Sequence, residues 1–424
     1  TFSRGSAATR VNAQGLVENV QIISEELVSN GNFSQIGTEE VLNGNFSQEG
    51  SELVTNGDFS NGSAGWAGDD ATLDVSNNTG KVIVTSNAEA GIKTSGVSSF
   101  VQGKQYKLTF DIVNATGGLV SGTIKEYSNS NIVGSWNGVG SYTIYFTYRS
   151  SSSQLRWLSS SNVGDILEID NVSVKEVGQD WVFNNDVSIG DGVVTFLDGG
   201  SNPNTGIVQS NILTSGKNYK LTFDVTRYVN GRVQVFLGGG TTISVDISSG
   251  VGTYTIYDVS NGTNLTIKRN GTYPNFDFDI TNISVKEVGQ DWTFGTGWSV
   301  DQANSKAVFD SGADSAIQQS SVLTSGLKYK LSIDVLDRTT GSLQVRFGNT
   351  GSVDETISAN GTFTYILISD GTSLYFRATG GFDGSITNIS VKEITDDTNI
   401  PRINYEGFSY QDSLGSELVV NGDF

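Results

Sequence analysis

Three long blocks of this chain repeat one another, and that self-similarity limits the fold more than any other feature. Each block carries a middle segment: GKQYKLTFDI (103–112), GKNYKLTFDV (216–225) and GLKYKLSIDV (326–335). Each carries a later segment: GSYTIYFT (140–147), GTYTIYDV (252–259) and GTFTYILI (361–368). Each closes alike, on IDNVSVKEV (169–177), ITNISVKEV (280–288) and ITNISVKEI (386–394). Gly103, Gly216 and Gly326 lie 113 and 110 positions apart, which is far too long for a solenoid coil and the size of one β-sandwich.

Within a block the hydrophobic period is two. Tyr219, Leu221, Phe223 and Val225 fall on one face of a strand, and Lys220, Thr222 and Asp224 on the other. Asn-Gly pairs such as Asn261-Gly262 and Asn360-Gly361 suit type I′ hairpins, whose central residues both need positive φ. No segment reads as an amphipathic helix. The expected architecture is all-β: tandem antiparallel β-sandwich modules over 52–177, 178–288 and 289–394. VSVKEV runs straight into GQDW with no Gly/Ser tether, so neighbouring modules are expected at a fixed angle, in a rod.

The block openings align NGDF (56–59) with GQDW at 178–181 and 289–292, superposing Phe59 on Trp181 and Trp292. Residues 1–51 stand apart. There the opening motif is repeated, as ELVSNGNFS (26–34) and EVLNGNFS (40–47), ahead of ELVTNGDFS (52–60). Three fates are open to the two extra copies: packing on a neighbouring module, pairing with another chain, or leftover duplication. A fourth copy, ELVVNGDF (417–424), follows a connector in 395–424 and reads as the first strand of a further module. With no Met in the chain, Thr1 is expected not to be a translation start.

Composition excludes several functions. Without His or Cys there is no Ser-His-Asp or Cys-His nucleophile, no His-bearing metal site and no disulfide. No Asp/Glu pair recurs at matching positions in the three modules, so an enzyme is not expected. The formal net charge of −20 argues against nucleic acid and anionic membrane as partners. No apolar run is long enough for a membrane helix.

The combination LVxNGDFS…GW at a module start with IDNVSVK at its end resembles the jelly-roll, galactose-binding-like carbohydrate-binding modules appended to secreted glycosidases. SRGSAATRVNAQGLVE (3–18) and NIPRINYEG (399–407) resemble segments that flank such modules in phage tail-fibre and virion-surface proteins, notably of marine phages. The two resemblances imply a virion structural protein forming a fibre or appendage. Its partners would be other virion or filament subunits, in a homo-oligomer, and host-surface polysaccharide held by weak multivalent adhesion at the virion surface or outside the cell. The alternatives are a secreted bacterial polysaccharide-binding protein and an extracellular filament subunit assembled by strand addition.

Sugar binding calls for exposed aromatic faces beside polar groups. Trp66, Trp157, Trp181, Trp292 and Trp298 read as core. Trp136, in the polar, Gly-rich GSWNGVG, is the expected ligand platform, with Tyr127 as companion and aligned with Phe236 and Arg346. The jelly-roll resemblance also implies a structural Ca2+ in module 1, held by Asp58 and Asp170; Thr281 and Thr387 replace Asp170 in the other modules. The competing reading of Asp58 is a side-chain cap on its Asn-Gly turn. The Asn-x-Ser triplets at Asn171, Asn282 and Asn388 lie inside the closing strand and read as structural.

Overall fold

The computed structural model describes residues 22–395 except 96–99, 128–130, 151–153, 186, 198–204, 240–242, 272–274, 311 and 349–351, together with the short strands Thr9–Val11 and Val17–Asn19. The described chain is nearly all antiparallel β, with two single 3-10 turns, Gly117–Val120 and Gln302–Asn304. Two compact units form. One comprises Thr1–Ile36 and Val288–Phe424, the other Gly37–Glu287.

Module 1 is a sandwich of two sheets. The first runs Gly140–Thr147, Gln105–Ala115, Ile166–Val177, Gly80–Val84, Ala71–Asp74. The second runs Ile132–Asn137, Ser121–Glu126, Leu155–Ser160, Glu89–Thr94, Trp66–Asp69. The period-two pattern explains the layers. Tyr106, Leu108, Phe110 and Ile112 are buried, while Lys107, Thr109 and Asp111 alternate outward. Module 2 repeats both sheets strand for strand around Phe223, Phe278 and Ile267. In module 3 the strands Lys328–Gly348 and Ser373–Thr395 are long enough to run through both layers. They pair along their length, with register shifts between Leu336 and Ser342 where they bend.

The closing strand explains its conserved-looking Asn. Asn171, Asn282 and Asn388 adopt left-handed φ of 50°, 51° and 50°, which Asn tolerates better than most residues. Each donates its amide to a middle-strand carboxylate, Asp111, Asp224 or Asp334. The triplets of Asn171 and Asn388 sit at a register shift of the closing strand, which gives them the structural role expected of them. Between modules 1 and 2, Tyr145 packs against the module-2 core and its hydroxyl donates to Asp191 at 3.1 Å, which braces that junction.

The repeated N-terminal motifs settle differently from a bead-by-bead order. Each completes one module, in reverse sequence order. Residues 49–59 serve module 1: Glu49–Glu52 pairs with Ile166–Val177, and Phe59 packs tilted against Trp66, ring centroids 4.8 Å apart. Residues 36–46 serve module 2: Ile36–Glu39 pairs with Asp277–Val288, and Phe46 packs tilted against Trp181 at 5.5 Å. Residues 22–33 serve module 3: Ile22–Ile23 pairs with Ser373–Thr395, and Phe33 packs tilted against Trp292 at 5.4 Å. Of the three fates, packing on a module within the chain is the one seen, across separations as large as the 373 residues from Ile22 to Thr395.

The chemistry is the same three times. A glutamate, Glu52, Glu39 or Glu26, accepts from a closing-strand backbone N–H and serine hydroxyl: Val174 and Ser173, Val285 and Ser284, Val391 and Ser390. The glycine carbonyl then accepts from the next closing-strand N–H, Val172, Ile283 or Ile389, at 2.9–3.0 Å. No larger residue fits there. A Cβ on Gly57, Gly44 or Gly31 would lie 1.8, 1.9 or 2.0 Å from the facing carbonyl oxygen.

This geometry corrects the alignment of Phe59 with Trp181 and Trp292. The counterpart of those tryptophans is Trp66. Each of the three indole N–H groups donates to the donor motif's own turn, at Asn56, at Leu42 and Asn43, and at Asn30. GQDW thus forms the seat that receives an NGxF motif.

Candidate functional site

The outward face of the second sheet of module 1 carries a cluster of charged and aromatic side chains. Neighbouring strands place Asp69, Lys93 and Arg156 side by side, with Arg156 opposite Lys93 across one pair. Asp69 binds both cations, Lys93 Nζ at 3.1 Å and Arg156 Nη2 at 2.5 Å. Tyr127 follows directly after Ser121–Glu126 and remains 44% exposed. Lys93 and Arg156 lie over its ring, 5.9 and 5.3 Å from the centroid. Shared pairing to Asp69 limits the freedom of the two cations, so the cluster is pre-ordered rather than assembled on demand. An exposed ring beside guanidinium, ammonium and carboxylate can stack on a sugar and hydrogen-bond its hydroxyls.

Trp136 does not stand beside Tyr127 on this face. It is only 2% exposed, and its indole N–H donates to Leu119 O at 3.0 Å inside the core. Gly122 makes the room: a Cβ there would lie 2.2 Å from the indole ring. The room comes from Gly122 on the neighbouring strand, not from the Gly-rich flanks of Trp136 that suggested exposure. Trp136 is therefore a core residue with no face open to a ligand. The five tryptophans read as core are all buried.

The same face of modules 2 and 3 also presents an aromatic beside a cation, on shifted strands. Lys268 lies over Phe236, 4.5 Å from the ring centroid. Arg346 faces Tyr375 directly across its strand pair. The register also corrects the alignment of Tyr127 with Phe236 and Arg346, by two positions. Lys125, Phe236 and Arg346 are equivalent, facing Arg156, Thr266 and Tyr375. Sequence reasoning sought an aromatic at one fixed position and so missed a pairing that moves between adjacent strands.

Asp58 lies at the turn of the third motif, where its Oδ1 accepts from Ser60 N and Ser60 Oγ; those bonds hold its carboxyl below the usual range. Asn32 and Asn45 make the same contacts to Ser34 and Ser47, so the turn cap needs an oxygen and no charge. Asp170 is pushed up, first by burial and then by the negative charge of Asp111, Asp58 and Glu168. A cation would relieve that repulsion. Among the described residues, however, no three Asp or Glu side chains gather as a metal-holding group. Two carboxylates, one already committed to Ser60, fit poorly an ion that takes six to eight oxygens.

Residues 399–407 and 417–424 and most of 3–18 lie outside the described residues. Among the described residues no helix is long and apolar enough to cross a membrane.

No family model and no curated protein matches the chain. Among solved structures, it is similar to the N-terminal CBM22-1-CBM22-2 tandem domain of Paenibacillus barcinonensis Xyn10C (9% identity, TM-score 0.27), covering 57% of this chain and 99% of that one. It is similar to a fucolectin from striped bass, Morone saxatilis, serum (11% identity, TM-score 0.18), covering 49% of this chain and 86% of that one. A chain of Sulfolobus Turreted Icosahedral Virus gives 15% identity and a TM-score of 0.20, covering 78% of this chain and 91% of that one. At scores this low the likenesses carry no functional weight, and the sandwich architecture rests on the strand pairing itself.

Proposed function

We propose that this chain is a non-catalytic, surface-displayed glycan-binding protein that uses the outward face of the second sheet of each module. The observation that carries this reading is the module-1 cluster, in which Lys93 and Arg156 are fixed by Asp69 over the exposed Tyr127 ring. A single exposed ring with a few polar partners gives weak binding. Several such faces on one chain, and several chains on one particle, turn weak binding into avidity. The setting we assign is a fibre or appendage of a phage virion, in a homo-oligomer. That assignment rests on the resemblance of 3–18 and 399–407 to virion-protein flanking segments.

The binding test is a glycan array followed by titration of the best ligand. Tyr127→Ala is expected to weaken binding by about 1–2 kcal/mol, the contribution of one stacked ring plus its cation contacts. Unchanged binding in Tyr127→Ala would remove this face as the site. The setting is tested by immunogold microscopy of the native source. Gold on phage tails or head fibres supports it, and gold on cell envelopes with bare phage particles overturns it. The Ca2+ that the jelly-roll resemblance implies at Asp58 and Asp170 is tested by the module-1 melting temperature, which their poor fit predicts to be the same with calcium and with chelator.

A further inference from the structure

The module-3 cleft that holds residues 26–33 reads few features of its occupant, and a second segment of this chain carries all of them. The cleft offers Val391 N and the Ser390 hydroxyl to a carboxylate, filled by Glu26. The Gln319 side-chain amide donates to Ser29 O and accepts from Ser29 N, so it reads backbone alone. Ile389 N donates to Gly31 O, against a carbonyl that admits no Cβ. Trp292 and Phe294 receive Phe33, whose ring centroid lies 5.4 and 6.2 Å from theirs.

Residues 417–424 present Glu417, Leu418, Val419, Asn421, Gly422 and Phe424 where the first motif has Glu26, Leu27, Val28, Asn30, Gly31 and Phe33. Only two positions differ. Val420 replaces Ser29, an exposed residue that the cleft holds by its backbone. Asp423 replaces Asn32, whose side-chain oxygen accepts from Ser34, just as the Asp58 carboxylate accepts from Ser60 in module 1. The approach is also favourable. The closing strand ends at Thr395, which faces Ile22 in the antiparallel pair. In the same register Ser413 would face Thr395, leaving a hairpin loop of residues 396–412. Closing a loop of that length costs only a few kcal/mol, and slightly longer loops cost little more.

We infer that the module-3 cleft is a strand-binding site with two cognate ligands, and that residues 417–424 of the same chain are a spare donor that enters it when 26–33 leaves. This is independent of the glycan reading. It makes the module-3 donor exchangeable, so residues 26–33 can be withdrawn without unfolding the module.

The test is a double-mutant cycle in the full chain, read by amide exchange across 328–348. Gly31→Val excludes the first motif. With 417–424 in reserve, protection is expected to fall by less than about tenfold. Gly422→Val alone is expected to change nothing. Gly31→Val with Gly422→Val is expected to lose protection by more than about a thousandfold. The inference is overturned if Gly31→Val alone loses as much protection as the pair. A second measurement fixes the source of the strand. Light scattering on Gly31→Val should give a monomer, whereas a dimer with module 3 still protected would assign the strand to a second copy and overturn the same-chain placement.

Discussion

Replacing Gly44 by Ala should strongly destabilise module 2, although Gly44 lies more than a hundred residues before that module begins. The added Cβ would sit 1.9 Å from Ile283 O and 3.0 Å from its carbonyl carbon, both main chain and neither able to swing aside. The donor must lift away from the closing strand. That forfeits the Ile283 N to Gly44 O hydrogen bond, about 1 kcal/mol. It also exposes Phe46, which is 3% exposed and packed against Trp181, for about another 2–3 kcal/mol. The two bonds from Val285 and Ser284 to Glu39 are weakened as well. A total of about 3–5 kcal/mol is a large part of a single domain's usual 5–15 kcal/mol. The assay is amide exchange by mass spectrometry. Peptides from 206–209 and 277–287 should lose protection while those from 105–115 in module 1 keep it. Gly216→Ala is the internal control. It sits at φ 85° with nothing within 4 Å of the new Cβ, so it should cost only about 1–2 kcal/mol of backbone strain. Equal protection in Gly44→Ala and wild type would refute strand donation to module 2.

Other outcomes follow from the same contacts. Asn282→Val should destabilise module 2 by about 2 kcal/mol in urea unfolding, since it removes the Asp224 bond and puts a β-branched residue at φ 51°. Asp170 has a folded-state pKa raised by burial and by its acidic neighbours, so its contribution is favourable when protonated and is lost as pH rises through the raised value. Asp170→Asn should therefore raise the module-1 melting temperature at pH 7, with the gain fading as the pH falls below the carboxylate range. Trp136→Ala should cost about 3–5 kcal/mol in module 1 melting while leaving any glycan affinity of the folded protein unchanged.

The sandwich bodies were legible because strands such as YKLTFDV keep strict alternation, and because the closing strand repeats almost letter for letter. The structural role of Asn171, Asn282 and Asn388 was legible from position alone. Donation of the first strands was not. The three motifs are near-identical and lie 13 residues apart, and no local signal says which of three near-identical seats each one takes. GQDW then looked like a worn copy of NGDF, because both place an aromatic three residues after a turn-forming residue. Trp136 was misread because Gly-rich flanks resemble a loop, whereas Gly122 provides the flat seat for a buried indole. The outward-facing cluster lay hidden because Tyr127, Lys93, Arg156 and Asp69 come from four separate segments that meet only through strand register.

Cross-linking tests the reverse-order donation of first strands most directly, because the chain has no native cysteine to confuse the pairing. Ile23 faces Ile394 and Glu52 faces Lys175 across their strand pairs. Ile23→Cys with Ile394→Cys, and Glu52→Cys with Lys175→Cys, should each oxidise to an intramolecular disulfide under native conditions. The swapped pair, Ile23→Cys with Lys175→Cys, should remain reduced. Disulfide formation in the swapped pair with none in the matched pairs would contradict the account.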